Sequence, residues 1–277
     1  MYFHIMLSVS HLYVYPIKSL GGILLDEVEL TDRGLKNDRR FVLIDDNNRF
    51  ISQRELAKMA LLHTVICGNQ LIVFEKGDSA SLLQLDLYPS EGDRVDVILF
   101  DDASEGLLMN GPINDWFSKK LDRNCRLVYM PDKVERKVDP IYARHQEIAA
   151  FSDGFPVLMI GQSSLNDLNN RLDQWLPMNR FRPNIVFSGG AAFEEDTMKE
   201  VVINSVSFSA VKPCARCVVT TIDQETGLKG KEPLRTLNKY RQLNNKLYFG
   251  QNILYKGEGI LRIGDELKVM QRQPYLF

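Results

Sequence analysis

The chain has 277 residues, with 34 lysines and arginines against 36 aspartates and glutamates, so its formal net charge is −2. A composition of 44% hydrophobic and 25% charged residues excludes a disordered, collagen-like or coiled-coil protein. The length predicts one large or two medium domains, and the balanced charge gives no electrostatic case for nucleic acid or an anionic membrane as partner. Because four cysteines are too few for a disulfide scaffold, we expect a reducing, cytoplasmic compartment.

The first 17 residues contain no Asp, Glu, Lys or Arg, but they do not read as a signal peptide or a membrane span. They lack a basic region and a small-residue cleavage site, and they fall short of the ~20 apolar residues that a spanning helix needs. The alternation of Leu12 and Val14 with polar or aromatic neighbours predicts a β-strand instead.

Short strand patterns separated by polar turns continue along the chain. The segment from Glu75 to Ser90 is expected to form a loop and the edge of a sheet. Amphipathic helices are predicted over 113–121 and from about Ser164 to Trp175. The class is therefore predicted as mainly β with a few helices, in barrels or sandwiches, with domains over 1–125 and 126–277. Strands are predicted near residues 28–30, 40–44, 71–74, 95–100, 185–187, 201–203, 206–211, 218–222, 253–254 and 260–263.

The strongest local motif is Cys214-Ala215-Arg216-Cys217, which follows Lys212-Pro213. A zinc or iron–sulfur site would need more ligands, and Cys67, Cys125 and the four histidines supply no ligand-spaced cluster. A thioredoxin-like pair would start a helix, whereas a strand is predicted after this motif. One cysteine could instead be a lone thiolate whose pKa is lowered by Lys212 and Arg216, or both could be structural.

Four further segments combine cationic or amide side chains with turn residues. Each alone is typical of an ordinary turn, but each also carries groups that bind anions or heterocycles. They are Lys18-Ser19, suited to a phosphate; Asp38-Arg39-Arg40, in which one arginine could point inward; Ser152-Asp153-Gly154, a turn with amide donors; and Asn179 to Asn184, with two arginines and an asparagine before a strand.

Taken together, these segments resemble the MOSC-domain family, and most closely bacterial homologues of the mitochondrial amidoxime-reducing component. The matching blocks extend over nearly the whole chain, as a MOSC N-terminal β-barrel region followed by a MOSC β-barrel domain. They are YPIKS at 15–19, GLKNDRRFVLID at 34–45, SQRE at 52–55, FSDGFP at 151–156, FRPNIVFSG at 181–189, FEED at 193–196, KPCARCVVTTID at 212–223 and EPLRTL at 232–237.

This resemblance implies a molybdenum cofactor (Mo-molybdopterin) whose metal is bound by the thiolate of Cys217, with Cys214 as a neighbour. A soft thiolate suits a metal that already carries dithiolene sulfur. Asp153 would be a proton-transfer or positioning group. The other cofactor-binding positions of the family map onto Lys18, Ser19, Arg40, Ser152, Gly154, Arg182, Asn184, Ala215 and Arg216.

The activity implied is reduction of small N-hydroxylated compounds such as hydroxylamines, amidoximes and N-hydroxylated bases. The chain ends at Phe277 without the ferredoxin-like domain of some relatives, so electrons are expected from a separate flavoprotein, iron–sulfur or haem protein. Two alternatives remain open: a non-redox carrier of sulfur or cofactor that uses a motif cysteine, and a structural barrel in which the two cysteines take zinc. Pyridoxal phosphate, found in the sulfurase relatives, is not expected as a ligand.

Overall fold

Alternating apolar and polar residues build most of this chain into strands; in Glu27–Thr31, for example, only Val28 and Leu30 are buried. The computed structural model describes residues 6–275 and 277, so the first five residues of the charge-free N-terminal segment lie outside the described residues. The strands of the first half are β1 (Ser8–Val14), β2 (Ile23–Leu25), β3 (Glu27–Thr31), β4 (Gly34–Leu35), β5 (Phe41–Ile44), β6 (Leu62–Cys67), β7 (Gln70–Glu75), β8 (Asp78–Asp86), β9 (Arg94–Leu99) and β10 (Asp102–Leu108).

The second half continues with strands and a few short helices, so the predicted mainly β class is confirmed. The strands are β11 (Arg126–Tyr129), β12 (Val157–Gly161), β13 (Ile185–Ser188), β14 (Met198–Ile203), β15 (Val206–Ala215), β16 (Gln242–Leu243), β17 (Lys246–Lys256), β18 (Gly259–Arg262) and β19 (Leu267–Arg272). The helices are α1 (Gly111–Leu121), α2 (Gln162–Asn169) and α3 (Leu234–Leu237), with 3-10 turns at Ala57–Leu61, Met178–Phe181, Glu194–Thr197 and Val218–Thr221.

The strands pair into sheets that cross the predicted boundary between residues 125 and 126. The largest sheet has the order β19-β14-β15-β17-β12-β13-β1-β2, with β16 on β17, and it joins the first two strands to those of the second half. Smaller sheets have the orders β5-β11-β10-β9, β18-β3-β4 and β6-β7-β8. Two of these, through β11 on β5 and β18 on β3, also join the two halves of the chain.

The sheets of the described residues are open and do not form fully closed barrels. A short hydrogen-bonded contact joins the two ends of the largest sheet, between β1 and the chain just before β19. There the Val9 N–H donates to the Asp265 carbonyl at 2.9 Å and the Gly264 N–H donates to the Val9 carbonyl at 2.8 Å. Apolar residues of β1, β13, β14, β15 and β17 pack into one core on this sheet.

The predicted helix over 113–121 is confirmed, and the second predicted helix is shorter than expected. α1 begins after Asn110, whose side chain accepts a hydrogen bond from the Ile113 N–H at 3.2 Å. α2 ends at Asn169 because that side chain bonds both the N–H and the carbonyl of Leu176, at 2.9 and 3.0 Å, and so stabilises a turn. Trp175 consequently lies at the surface, 78% exposed.

Two further predictions need correction. The segment 75–90 does lie at a sheet edge, but it contains the strand β8, which pairs with β7 and buries Leu85, where loop was also expected. The apolar run 218–222 is mostly a 3-10 turn and not a strand. It is closed by the hydroxyls of Thr220 and Thr221, which donate to the carbonyls three residues earlier at 2.9 and 2.7 Å.

All four cysteines are unpaired thiols, in agreement with the predicted lack of a disulfide scaffold. In the part of the chain that the structure describes, no helix has the length and apolar character to cross a membrane.

One buried ion pair links the FEED segment to the residue that precedes β16, and a glutamine of β17 joins it. Arg241 donates to Asp196 at 2.5 Å, both side chains are 1% exposed, and Gln251 donates to the second carboxylate oxygen at 2.8 Å. The Arg241 guanidinium also lies 4.2 Å from the ring centroid of Phe193. Because all these groups are removed from water, each charge depends on its partner.

Arg241→Ala should lower the free energy of unfolding by about 3–5 kcal/mol, because it leaves the Asp196 carboxylate buried without its counter-charge. Guanidinium unfolding would measure the loss. The control is Arg262→Ala, which removes an exposed pair with Glu27 and should change stability by no more than about 1 kcal/mol. Equal losses in the two variants would contradict the assignment.

Candidate active-site cavity

Loops from both halves of the chain meet around one cavity that is partly open to solvent. Because β12 and β13 are parallel and β1 is antiparallel to β13, the start of β12, the start of β13 and the end of β1 share one edge of the sheet. The residues after β1, before β12 and before β13 therefore come together there. The lining residues are Lys18, Ser19, Arg39, Phe50, Ser52, Arg54, Ser152, Asp153, Gly154, Phe155, Leu158, Phe181, Arg182, Asn184, Cys214, Ala215, Arg216, Cys217, Val219 and Asn252.

A stack of two guanidinium groups on Tyr15 forms one wall. The Cζ atoms of Arg39 and Arg182 lie 4.3 and 4.2 Å from the Tyr15 ring centroid. Arg39 also donates to the buried Asp38 carboxylate at 2.6 Å and to the Asn184 side-chain oxygen at 3.0 Å. Burial lowers the pKa of Arg182 to about 10, and the neighbouring Arg39 charge acts in the same direction.

A lysine paired with an aspartate also lines the cavity. Lys18 is 5% exposed and donates to Asp153 at 2.5 Å, while the Asp153 side chain is 68% exposed toward the open side. Burial lowers the pKa of Lys18 to about 8, although Asp153 acts against that change. Desolvation alone would raise the pKa of Asp153, but the charges of Lys18, Arg54 and Arg39 outweigh it and hold that pKa well below its usual range.

The Cys-x-x-Cys segment closes the cavity at the end of β15. Arg216 donates to the Cys214 sulfur at 2.9 Å and to the Phe181 carbonyl at 2.6 Å, so its guanidinium is fixed across the site. Burial raises the pKa of the Cys214 thiol, and Arg216 offsets this only in part. Lys212 lies over the Tyr142 ring at 4.4 Å and not in the cavity. The predicted lowering of a thiol pKa by these two cations is therefore not found at Cys214.

Three lining residues have left-handed backbone conformations that only glycine adopts without strain. They are Ser19, Arg39 and Arg182, with φ values of 70°, 48° and 53°. Such conformations persist where the surrounding structure fixes them, and they are concentrated at functional sites. Here they turn the backbone so that these residues reach the same space.

Every site residue predicted from the sequence lines this cavity except Arg40. Arg40 points away, donates to the Met130 carbonyl at 3.1 Å through Nε, and pairs with Asp132 at 2.7 Å. The adjacent Arg39 takes its place. The segment Asp38-Arg39-Arg40 predicted that one arginine faces inward, but only the left-handed turn at Arg39 decides which one.

Phe50 and Arg54 were missed by the sequence reasoning, although the SQRE block that contains Arg54 was part of the family match. The sequence feature that could have identified Arg54 as a site residue was its place in that block, two residues after Ser52. Its position beside the cavity depends on long-range packing between the two halves of the chain.

The polar groups of the cavity fit an anionic group rich in hydrogen-bond acceptors. Five cations line it (Lys18, Arg39, Arg54, Arg182 and Arg216), against the carboxylate of Asp153. Among the buried polar atoms without a protein partner are the Ser152 hydroxyl, Nη2 of Arg182 and Nε of Arg216. Buried donors of this kind are normally satisfied, so these three are available to a ligand.

A site for zinc has little support in the same region. Among residues 6–275 and 277, no three His, Cys, Asp or Glu side chains are grouped so that they could bind a metal. Cys214 and Cys217 alone supply two of the four ligands that structural zinc takes.

Asp153→Asn should lower the pKa of Lys18 below about 8, because it removes the negative charge that opposes the effect of burial. Lysine Nζ chemical shifts followed through a pH titration would measure it. Asp132→Asn, which removes the exposed partner of Arg40, is the matched control and should leave the Lys18 titration unchanged. A Lys18 pKa that stays the same in Asp153→Asn would contradict this electrostatic account.

Both halves of the chain match models of known protein families. The model of the MOSC N-terminal beta barrel domain matches residues 6–124, and that of the MOSC domain matches residues 146–268. The chain is 35% identical to mitochondrial amidoxime reducing component 2 of Rattus norvegicus, over 93% of this chain and 82% of that protein. It is 31% identical to component 1 of Mus musculus, over 95% and 82%, and 32% identical to component 2 of Homo sapiens, over 93% and 82%. The chain therefore belongs to the MOSC-domain family, together with the mitochondrial amidoxime-reducing components.

Proposed function

We propose that this protein is a molybdenum-cofactor-dependent reductase of N-hydroxylated compounds. The observation that carries the proposal is one cavity in which a cysteine and five cations are gathered from distant parts of the chain. Relatives that match 93–95% of this chain are named for amidoxime reduction, which supports the substrate class.

The cations would hold the anionic cofactor. Arg39 and Arg182 can neutralise a phosphate, and the Ser152 hydroxyl and Nη2 of Arg182 are available as donors. Asn184 contributes indirectly. Its side-chain oxygen accepts from Arg39 and from the Leu158 N–H, and its amide donates to the Tyr13 carbonyl, so it positions Arg39.

Cys217 would be the protein ligand to molybdenum, and Cys214 would not. The Cys214 sulfur is occupied by its hydrogen bond from Arg216, and burial disfavours its thiolate. When bound, the cofactor would supply the two-electron chemistry that removes oxygen from nitrogen.

Reduction of R–NHOH to R–NH2 and water consumes two electrons and two protons, and Lys18 can deliver one of those protons. Its pKa of about 8 places Nζ close to the range in which a general acid works best. Asp153 stays ionised, so it accepts the hydrogen bond from Nζ and orients the ammonium toward the cavity. In this proposal Asp153 is a positioning residue rather than the acid.

The electrons would come from a separate redox protein. Within the described residues no three His, Cys, Asp or Glu side chains are grouped so that they could bind a further metal centre, and the cavity is open to a partner where Asp153 is exposed.

Cys217→Ser, expressed in a host that makes the cofactor, should lose molybdenum and at least ~100-fold of its amidoxime reductase activity, since a ligand to the metal is removed. Cys214→Ser is the matched control and should retain most of the metal. Metal and pterin analysis together with turnover would measure both. Full metal content and activity in Cys217→Ser, or a persulfide on either cysteine in metal-free protein, would contradict the proposal.

Arg39→Gln should reduce the cofactor content by ~10-fold or more, because it removes a buried charge facing the cavity. Arg40→Gln should retain the cofactor, although it loses the hydrogen bond to Met130 and is expected to be less stable. Pterin content per protein, measured beside the thermal midpoint, separates the two effects. If Arg40→Gln lost the cofactor and Arg39→Gln retained it, Arg40 and not Arg39 would be the cofactor-binding arginine.

A further inference from the structure

A second groove adjoins the cavity and shares Phe50, Ser52 and Arg54 with it. Its outer wall is Phe100, whose ring centroid lies 4.7 Å from that of Phe50 at an interplanar angle of 63°. Phe100 is 37% exposed, so part of its ring is open to a ligand.

Phe100 occupies a position that is unfavourable for its residue type. It is the first residue of the two-residue turn between β9 and β10, where Leu99 pairs with Asp102, and its φ is 58°. A two-residue hairpin turn in which only the first residue has positive φ favours Gly there, and a bulky residue with positive φ is strained. An exposed aromatic ring held in such a conformation indicates a role for the ring itself.

The surroundings of the ring are polar and largely unused. The Arg54 guanidinium lies 4.8 Å from the Phe100 centroid, and its nearest carboxylate oxygen, on Asp153, is 3.9 Å away. The Ser52 hydroxyl is buried and has no hydrogen-bond partner. The groove therefore presents an aromatic face beside free donors.

The carboxylates of the groove are already engaged. Asp45 accepts from the N–H groups of Asn47 and Arg49 at 2.9 Å each, and Glu55 pairs with Arg123 at 3.1 Å. The cations available for recognition in the groove are therefore Arg49 and Arg54.

We propose that Phe50, Phe100 and Arg54 form the substrate subsite and that it selects flat aromatic or heteroaromatic N-hydroxylated compounds over aliphatic ones. Lys18 Nζ lies 5.2 Å from the Phe50 centroid and 5.7 Å from the Phe100 centroid, so a ring stacked there places its N–O group within reach of the proton on Lys18. This inference rests on the proposed reductase function and adds the substrate class.

The test compares benzamidoxime with acetamidoxime in the cofactor-loaded enzyme. Phe100→Ala should lower kcat/KM for benzamidoxime by about tenfold, mainly through KM, because the stacking surface is lost. It should change kcat/KM for acetamidoxime by less than about twofold. Trp175→Ala removes an exposed ring that lines neither space and should change neither value. An equal loss for both substrates in Phe100→Ala, or no loss for either, would overturn the proposal.

A second variant separates binding from folding. Phe100→Gly suits a first turn residue with positive φ, so it should raise the thermal midpoint while it lowers kcat/KM for benzamidoxime as Phe100→Ala does. A more stable Phe100→Gly enzyme with full preference for benzamidoxime would show that the ring does not bind substrate.

Calorimetric titration of benzamidoxime into the enzyme without an electron donor distinguishes failure of this inference from failure of the proposed function. Binding that weakens about tenfold in Phe100→Ala supports the subsite, even if no reduction is found. Reduction of both substrates with binding that is independent of Phe100 would leave the reductase function standing and refute the subsite.

Discussion

The stack of Arg39 and Arg182 on Tyr15 is the interaction on which the rest of the site depends. Two like charges are held near one buried ring, and Asp38 is the buried carboxylate that pairs with Arg39. Because unpaired charges are costly away from water, this arrangement constrains the segments that supply the residues: the end of β1, the loop before β5 and the loop before β13. The largest sheet brings the end of β1 and the start of β13 to one edge, and the loop before β5 is held there by the hydrogen bond from the Arg39 N–H to the Tyr15 carbonyl at 2.8 Å.

The same stack leaves the cavity with an excess of positive charge. Asp153 offsets part of it, yet it faces the open side and is committed to Lys18. Donors on Arg182 and Arg216 remain without protein partners. A cavity built this way is most stable with an anion inside, which is the property that a phosphate-bearing cofactor needs. Lys18 lies in the same cavity with its pKa lowered by burial, and in the proposed reaction it would deliver a proton to the substrate.

Where sequence patterns failed, a specific long-range contact or side-chain bond decided the structure. Trp175 completed an amphipathic pattern, but the bonds of Asn169 to Leu176 end α2 earlier. The apolar run after Cys217 read as a strand, yet threonine hydroxyls close it into a 3-10 turn. The polar segment that contains β8 resembled a loop because only one face of that strand is buried.

The sequence by itself determined the mainly β class, the cysteine pair and nearly the whole set of candidate site residues. These features depend on residue types and on their spacing over a few neighbouring positions, which the sequence shows directly. Only the tertiary structure decided that Arg39, and not Arg40, faces the cavity, since the direction of a side chain follows from a backbone turn fixed by distant contacts. It also decided that Phe50, Arg54 and Phe100 lie beside Lys18. These residues meet because sheets pack against one another, and neighbouring positions in the sequence do not specify that packing.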